Sequence, residues 1–269
     1  MSRPSKHRHL FPKQGLDHLI LILGSLFMLG PLAVVLLGSL NTAGDPLAAY
    51  RRILLTPDLF GNGVNATDMM INSFIVAGGI AGLKTLVSIL AAFALVCFNL
   101  RHRDLIFGLI LLPLFFPIET RILPTFLVTS QMGLVNSYGG MILPVVASGL
   151  GVLIFRQSLS QIPAELMEAA RLDGAGPLRY LFDILLPVSL PMIAALFTIL
   201  FVLGWNQYLW PLMVATTSEE HYTLVRGIER VGAGSSSGRA FAMLAMLPPL
   251  VLMLFTQRWI TRGLTLSWK

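Results

Sequence analysis

Apolar positions in this chain fall in long runs rather than alternating with polar ones. Six runs stand out, at Leu16–Leu40, Met69–Phe98, Leu105–Thr129, Tyr138–Arg156, Val188–Ala215 and Phe241–Ile260. Each approaches or exceeds the roughly 20 residues with which a helix crosses a bilayer. Lipid offers no partner to a backbone N–H or C=O, so only helices and closed barrels span it. Barrel strands alternate with a period of two, and that alternation is missing. The pattern predicts an all-α, polytopic membrane protein with six transmembrane helices.

Composition agrees: of 269 residues 55% are hydrophobic and only 12% charged, against about 25% charged in soluble domains. Six spans put both termini on one face. That face collects twelve Lys or Arg, from the basic head, Arg101, Arg103, Arg156, Arg171, Arg179 and the tail. The other face has five: Arg51, Arg52, Arg226, Arg230 and Arg239. The positive-inside rule makes the first face cytoplasmic. The pI of about 9.9 then reports topology, and without basic stretches interleaved with aromatics a nucleic-acid partner is not expected. Residues 1–15 read as a basic tail and 16–269 as one six-span domain embedded in the lipid bilayer. A cleaved signal peptide is the alternative for the head, although the run is longer than a signal core of about 7–15 residues. A single cysteine, Cys97, excludes an intramolecular disulfide, and five scattered histidines offer no metal site.

Two loops face outward, Asn41–Asp68 and Thr216–Gly238, and either could dock a partner. Gly232–Gly238 has the composition of a flexible linker. The inward segment 160–187 is built differently. Pro163 suits the first turn of a helix, and Ala164–Leu172 are nearly all good helix formers. Gly174 supplies a left-handed cap, and a second short helix runs from Pro177 until Pro187 ends it. Leu166, Ala169, Ala170 and Leu172 leave a small-residue surface flanked by Glu168 and Asp173. A helix lying on the membrane would favour Lys and Arg on its polar face; this one carries Glu165, Glu168 and Asp173, which favours docking into a protein.

The string Glu168-Ala169-Ala170, three residues, Gly174, nine residues, Ile184-x-Leu186-Pro187 resembles the EAA motif of bacterial ABC importer permeases, in the carbohydrate-uptake class. The resemblance implies a bacterial inner-membrane protein whose elbow couples to an ATP-binding subunit. Its coupling residues would be Glu165, Glu168, Ala169, Ala170, Arg171, Leu172, Asp173, Gly174 and Pro187, with Glu168 facing a basic residue of that subunit. The Arg258–Lys269 tail would lie near the same subunit. The implied partners are a second, non-identical permease, a homodimer of ATP-binding subunits and a periplasmic solute-binding protein. ATP and Mg would sit on those partners, with no cofactor and no catalysis in this chain. The strings Ala91–Ala94, Pro117–Thr125 and Gly204–Leu212 narrow the resemblance to second permeases of glycerol-3-phosphate importers.

Polar residues within the spans are the candidates for a solute path. Lys84 sits midway through the second run, where a charge costs about 2.5–3.5 kcal/mol on insertion scales. It could attract an anionic solute, or form an interhelical salt bridge, or snorkel. Gly78, Gly79 and Gly82 before Lys84-Thr85 do not make a P-loop, since Leu83 precedes the lysine; Gly78-x-x-x-Gly82 predicts close helix packing instead. Glu119 and Arg121 are expected at or near the outer end of the third span, as phosphate contact or interface anchor. Trp205, Asn206, Gln207, Tyr208 and Trp210 combine aromatic faces with amides. If helical, Trp205 shares a face with Tyr208 and Asn206 with Trp210, as a polyol site or as an aromatic belt. Asn72 is a further candidate. A neutral oligosaccharide is the alternative solute, and an ion-coupled secondary transporter the alternative class, for which intramembrane carboxylates in repeated halves are lacking.

Overall fold

The computed structural model describes residues 13–40, 44–56, 65–217, 219–232 and 234–265. The basic head at 1–12, parts of the loop after α1 at 41–43 and 57–64, and the last residues of the tail, 266–269, lie outside the described residues. Three helices cross without interruption: α1 (Lys13–Leu40), α3 (Ala66–Cys97) and the last, α13 (Ser236–Thr265). A short helix α2 (Ala48–Leu55) lies between the first two.

The other three spans are bent pairs. In the third, α4 (Arg103–Leu111), extended by a 3₁₀ turn at Leu112–Phe115, meets α5 (Ile118–Gln131) at 101°. In the fourth, α6 (Tyr138–Ile142), with a 3₁₀ turn at Leu143–Val145, meets α7 (Gly149–Leu159) at 50°. After the elbow helix α8 (Ala164–Leu172), α9 (Pro177–Val188) meets α10 (Leu190–Trp205) at 77°. Counting each pair as one span gives six. Two shorter helices, α11 (Leu209–Val214) and α12 (Leu224–Val231), follow on the face opposite the elbow.

Proline chemistry explains the sharp bends. A residue before proline is pushed out of the helical region. Phe116, before Pro117, is accordingly extended (φ −93°, ψ 130°), and Pro117 follows it at ψ 141°. At the 77° bend, Pro187 and Pro191 stand four residues apart. Neither has an N–H, so two successive rungs vanish from one side of the helix. Contrary to the expectation from sequence, Pro187 does not end its helix; the break comes two residues later, at Ser189 (ψ 2°).

α3 is the central post, packed against α7 and α10, while α10 also packs on α13. Lipid gives apolar surfaces little reason to leave it, so close approach through small residues drives such packing. A Cβ on Gly204 would stand 3.3 Å from Ala77 Cα, and one on Gly151 would strike Ser88 Oγ at 2.2 Å. Gly78 and Gly82 do not serve as predicted, having nothing within 4 Å of an added Cβ, whereas Gly79 seats Ile142. α1 packs mainly on α13 and turns most of its apolar surface outward, with Phe27 85% exposed. Most of the predicted Gly232–Gly238 linker is structured. Ser235 Oγ accepts from Gly238 N at 2.9 Å, an N-cap for α13.

Side chains from neighbouring helices complete the interrupted backbone. Pro248 and Pro249 lie inside α13, and Pro249 leaves the carbonyl of Ala245 without its helical donor. Trp205 Nε1 donates to that oxygen at 2.9 Å. Trp210 Nε1 donates at 3.2 Å to the carbonyl of Met141, where α6 tightens into its 3₁₀ turn. Arg226 donates to the carbonyls of Pro211 and Ala215 at the end of α11. Replacing Trp205 by Phe keeps an aromatic ring, though a smaller one, and orphans the Ala245 oxygen, a loss that should by itself cost about 1–3 kcal/mol. In a Pro249→Ala background the helix regains its own donor, so the same replacement should cost markedly less. Thermal unfolding of the detergent-solubilised protein measures this, and additive effects would contradict the assigned role.

Candidate functional site

The elbow is the best-defined polar feature on its face. Pro163 stands just ahead of α8 as its N-cap (φ −56°, ψ 135°), one position earlier than the sequence suggests. At the other end Gly174 has φ +73°, a conformation an L side chain enters at a cost of about 1–2 kcal/mol. Two backbone bonds close the turn there, Ala175 N to Ala170 O at 2.9 Å and Gly174 N to Arg171 O at 3.0 Å. This pairing is a Schellman motif, which satisfies carbonyls that a helix end otherwise leaves open. The turn between α8 and α9 is thereby held by hydrogen bonds as well as by sequence.

The two sides of α8 differ. Glu165, Glu168, Ala169, Arg171 and Asp173 are exposed, and Leu172 is 89% exposed. Ala170 faces the other way and is buried, which removes it from the predicted docking surface. Arg171 donates to the Met167 sulfur at 3.8 Å along the helix. Beneath the elbow, Tyr180, Leu181 and Leu185 of α9 are buried. A cavity of about 290 Å³ remains between the elbow and the end of α3, lined by Phe93, Cys97, Met167, Arg171 and Tyr180 among others. Pro187 lies exposed near the far end of α9.

The membrane-depth candidates separate into two groups. Lys84 is half-buried near the middle of α3, and Glu119 and Arg121 are exposed in the first turns of α5. They are not at the outer end of the third span, as expected, because the break at Phe116-Pro117 comes halfway. Arg103–Phe115 rises only about 20 Å at 1.5 Å per residue, short of the roughly 30 Å hydrocarbon core. Lys84 is thirteen residues from Cys97, the end of α3 on the same face, and so lies at a similar depth.

The other group holds the bundle together. Asn72 is buried; its Nδ2 donates to the carbonyls of Glu220 and Tyr222 at 2.6 and 3.0 Å, and its Oδ1 accepts from Tyr138 Oη. Trp205 and Trp210 are 2% and 4% exposed. Phe201 stacks on Trp205 at 5.7 Å and Phe74 meets it edge-on at 5.0 Å. Tyr208 donates to the Glu229 carboxylate. The predicted pairing of Trp205 with Tyr208, and of Asn206 with Trp210, on one helix face does not form, because α10 ends at Trp205. Asn206 is the member of that string left exposed, while Gln207 has a buried Oε1 without a partner. Arg226, buried beneath the ring of Tyr222 with its guanidinium 3.6 Å from the centroid, had no signal beyond an arginine inside an amphipathic stretch.

Comparison with known proteins agrees with this architecture. Residues 84–266 match the family described as "Binding-protein-dependent transport system inner membrane component". The sn-glycerol-3-phosphate transport system permease protein UgpE of Yersinia pestis bv. Antiqua is 40% identical, over 96% of this chain and 99% of that protein. Its namesake in Agrobacterium fabrum is 38% identical over 92% and 94% respectively. Among solved structures, a chain of a bacterial ABC transporter involved in the import of the acidic polysaccharide alginate superposes with a TM-score of 0.75 at 18% identity, covering 96% of this chain and 99% of that one. With a family match over most of its length and near full-length relatives, the chain belongs to the inner-membrane permease components of binding-protein-dependent transport systems.

Proposed function

We propose that this chain is one of two non-identical permeases of an ABC importer for sn-glycerol-3-phosphate, with the elbow and both termini in the cytoplasm. The observation that carries the reading is the Schellman-closed elbow over Glu168–Pro187, taken with full-length relatives that bear the same transport name. The exposed edge of α8, with Glu165, Glu168, Ala169, Arg171, Leu172 and Asp173, fits a cleft on an ATP-binding subunit. A homodimer of such subunits would hold ATP and Mg, and a periplasmic solute-binding protein would deliver the solute. ATP-driven closure of the dimer would shift α8 as a rigid piece. Through the hydrogen-bonded turn at Gly174 the shift reaches α9 and then α10, changing which side of the two-permease cavity is open.

For the path itself, Lys84, Glu119, Arg121 and Asn206 offer polar or charged groups to a solute. Asn72, Trp205, Tyr208 and Trp210 shape the wall from behind, their polar atoms already occupied. A neutral sugar usually stacks on open aromatic faces, and those of Trp205 and Trp210 are turned into the bundle. Lys84 and Arg121, which form no ion pair among the described residues, favour the phosphate ester instead.

Glu168→Lys should leave the importer assembled in the membrane yet lower uptake by about tenfold or more, with ATP hydrolysis no longer following solute; this is read in proteoliposomes holding the whole complex. Full uptake by the variant would remove Glu168 from the coupling surface. A graded pair tests the turn. Gly174→Ala meets no neighbour within 4 Å and bears only the φ strain of about 1–2 kcal/mol, so it should keep substantial uptake. Gly174→Pro can neither reach positive φ nor donate to Arg171 and should abolish uptake. Equal activity of the two variants would refute the rigid-turn account.

A further inference from the structure

We infer that the cavity between the elbow and the end of α3 is a binding site for a small aromatic carboxylate. The inference goes beyond the proposed function and does not rest on it, since neither the solute nor the coupling assignment enters it.

The cavity holds about 290 Å³, at the lower end of the roughly 300–1,000 Å³ typical of small-molecule sites. Met167 and Arg171 of the elbow and Tyr180 of α9 line it together with Phe93, Cys97 and Phe98. Solvent is the bland occupant. At about 30 Å³ apiece, roughly ten waters would fill the space, and each needs two to four polar partners. Phe93 and Phe98 supply none. What the cavity does offer is a buried donor. Tyr180 is 6% exposed and lines the space, and its hydroxyl forms no hydrogen bond among the described residues. A hydroxyl taken out of water without a partner costs stability, so an acceptor arriving from outside is favoured there.

The remaining walls define what carries that acceptor. Arg171 presents a forked, permanent cation. Its side chain meets the Met167 sulfur at 3.8 Å, a weak acceptor, and takes no part in the ion pairs among the described residues. A carboxylate suits both donors, accepting from the guanidinium and from the phenol. One cation calls for one negative charge, rather than the −1.5 to −2 or so of a phosphate monoester. Beside these donors Phe93 and Phe98 meet edge to face at 5.5 Å, and rings favour such edge-on or offset partners. The Met167 sulfur is also favourable against a ring. An aromatic body bearing one carboxylate therefore matches every wall. Because those walls belong to separate elements, an occupant would tie the elbow to the central post α3.

The test uses the complete importer in phosphatidylcholine nanodiscs, with naphthoate as probe and Cys97, the single cysteine of this chain, as reporter. Alkylation by N-ethylmaleimide is read on this chain by intact mass, and binding by equilibrium dialysis. Naphthoate should bind saturably and protect Cys97, whereas neutral naphthalenemethanol should need about tenfold more or beyond. Arg171→Gln should raise the half-saturating concentration by about tenfold or more, and Tyr180→Phe, which keeps the ring, by roughly two- to tenfold. No saturable binding, or equal affinity in the wild type and both variants, would overturn the site. So would protection by the neutral alcohol at the same concentration, which marks partition into the bilayer. Protection by oleate but not by naphthoate would assign the cavity to an acyl chain. Shielding of Cys97 that ends when the ATP-binding subunits are stripped away would assign it to their side chains, and either result defeats the aromatic-carboxylate reading. Should Cys97 resist alkylation with no ligand or subunit present, the dialysis values of the wild type and the two variants decide.

Discussion

Everything in this fold depends on one requirement of lipid: each backbone N–H and C=O must find a partner inside the protein. The bent spans leave gaps, and so does the unbroken α13 at Pro249; the structure meets these deficits from outside the helix concerned. Trp205 reaches the carbonyl that Pro249 abandons, Trp210 reaches Met141, Arg226 closes the end of α11, and Asn72 collects the carbonyls of Glu220 and Tyr222. These bonds tie α10 to α13, α11 to α6, and the loop at Glu220 and Tyr222 to α3. The breaks thus become the places where separate helices are joined.

That division of labour separates two kinds of polar residue that look alike in sequence. Polar groups already bonded to backbone serve the frame, and a passing solute cannot use them without leaving a carbonyl bare. Lys84 and Arg121 make no such backbone bond among the described residues, whereas the indoles of Trp205 and Trp210 do. The same distinction moves the proposed solute away from a stacked sugar and toward a charged ester.

Much was legible in advance. Apolar runs gave the number of spans, and Pro163, Gly174 and Pro177 outlined the elbow, because helix ends are governed by local backbone chemistry. Where sequence reasoning stopped short, tertiary partners decided the outcome. Hydropathy does not register a bend, so the third span read as straight although Pro117 marked its break. Nothing near Trp205 in the sequence says that its indole will serve a carbonyl forty residues on. Gly78 and Gly82 have the spacing of a packing motif, yet Gly79 between them meets the neighbour, since a spacing says nothing about which side of a helix is occupied.

The 77° bend between α9 and α10 carries a mechanical consequence. Motion along α9 lies mostly across the axis of α10, so it would tilt α10 rather than drive it lengthwise. The proline spacing that removes two rungs from one side of the helix sets this gearing. Shifting either proline by one residue would move the gap around the helix and redirect the output, leaving the input surface untouched.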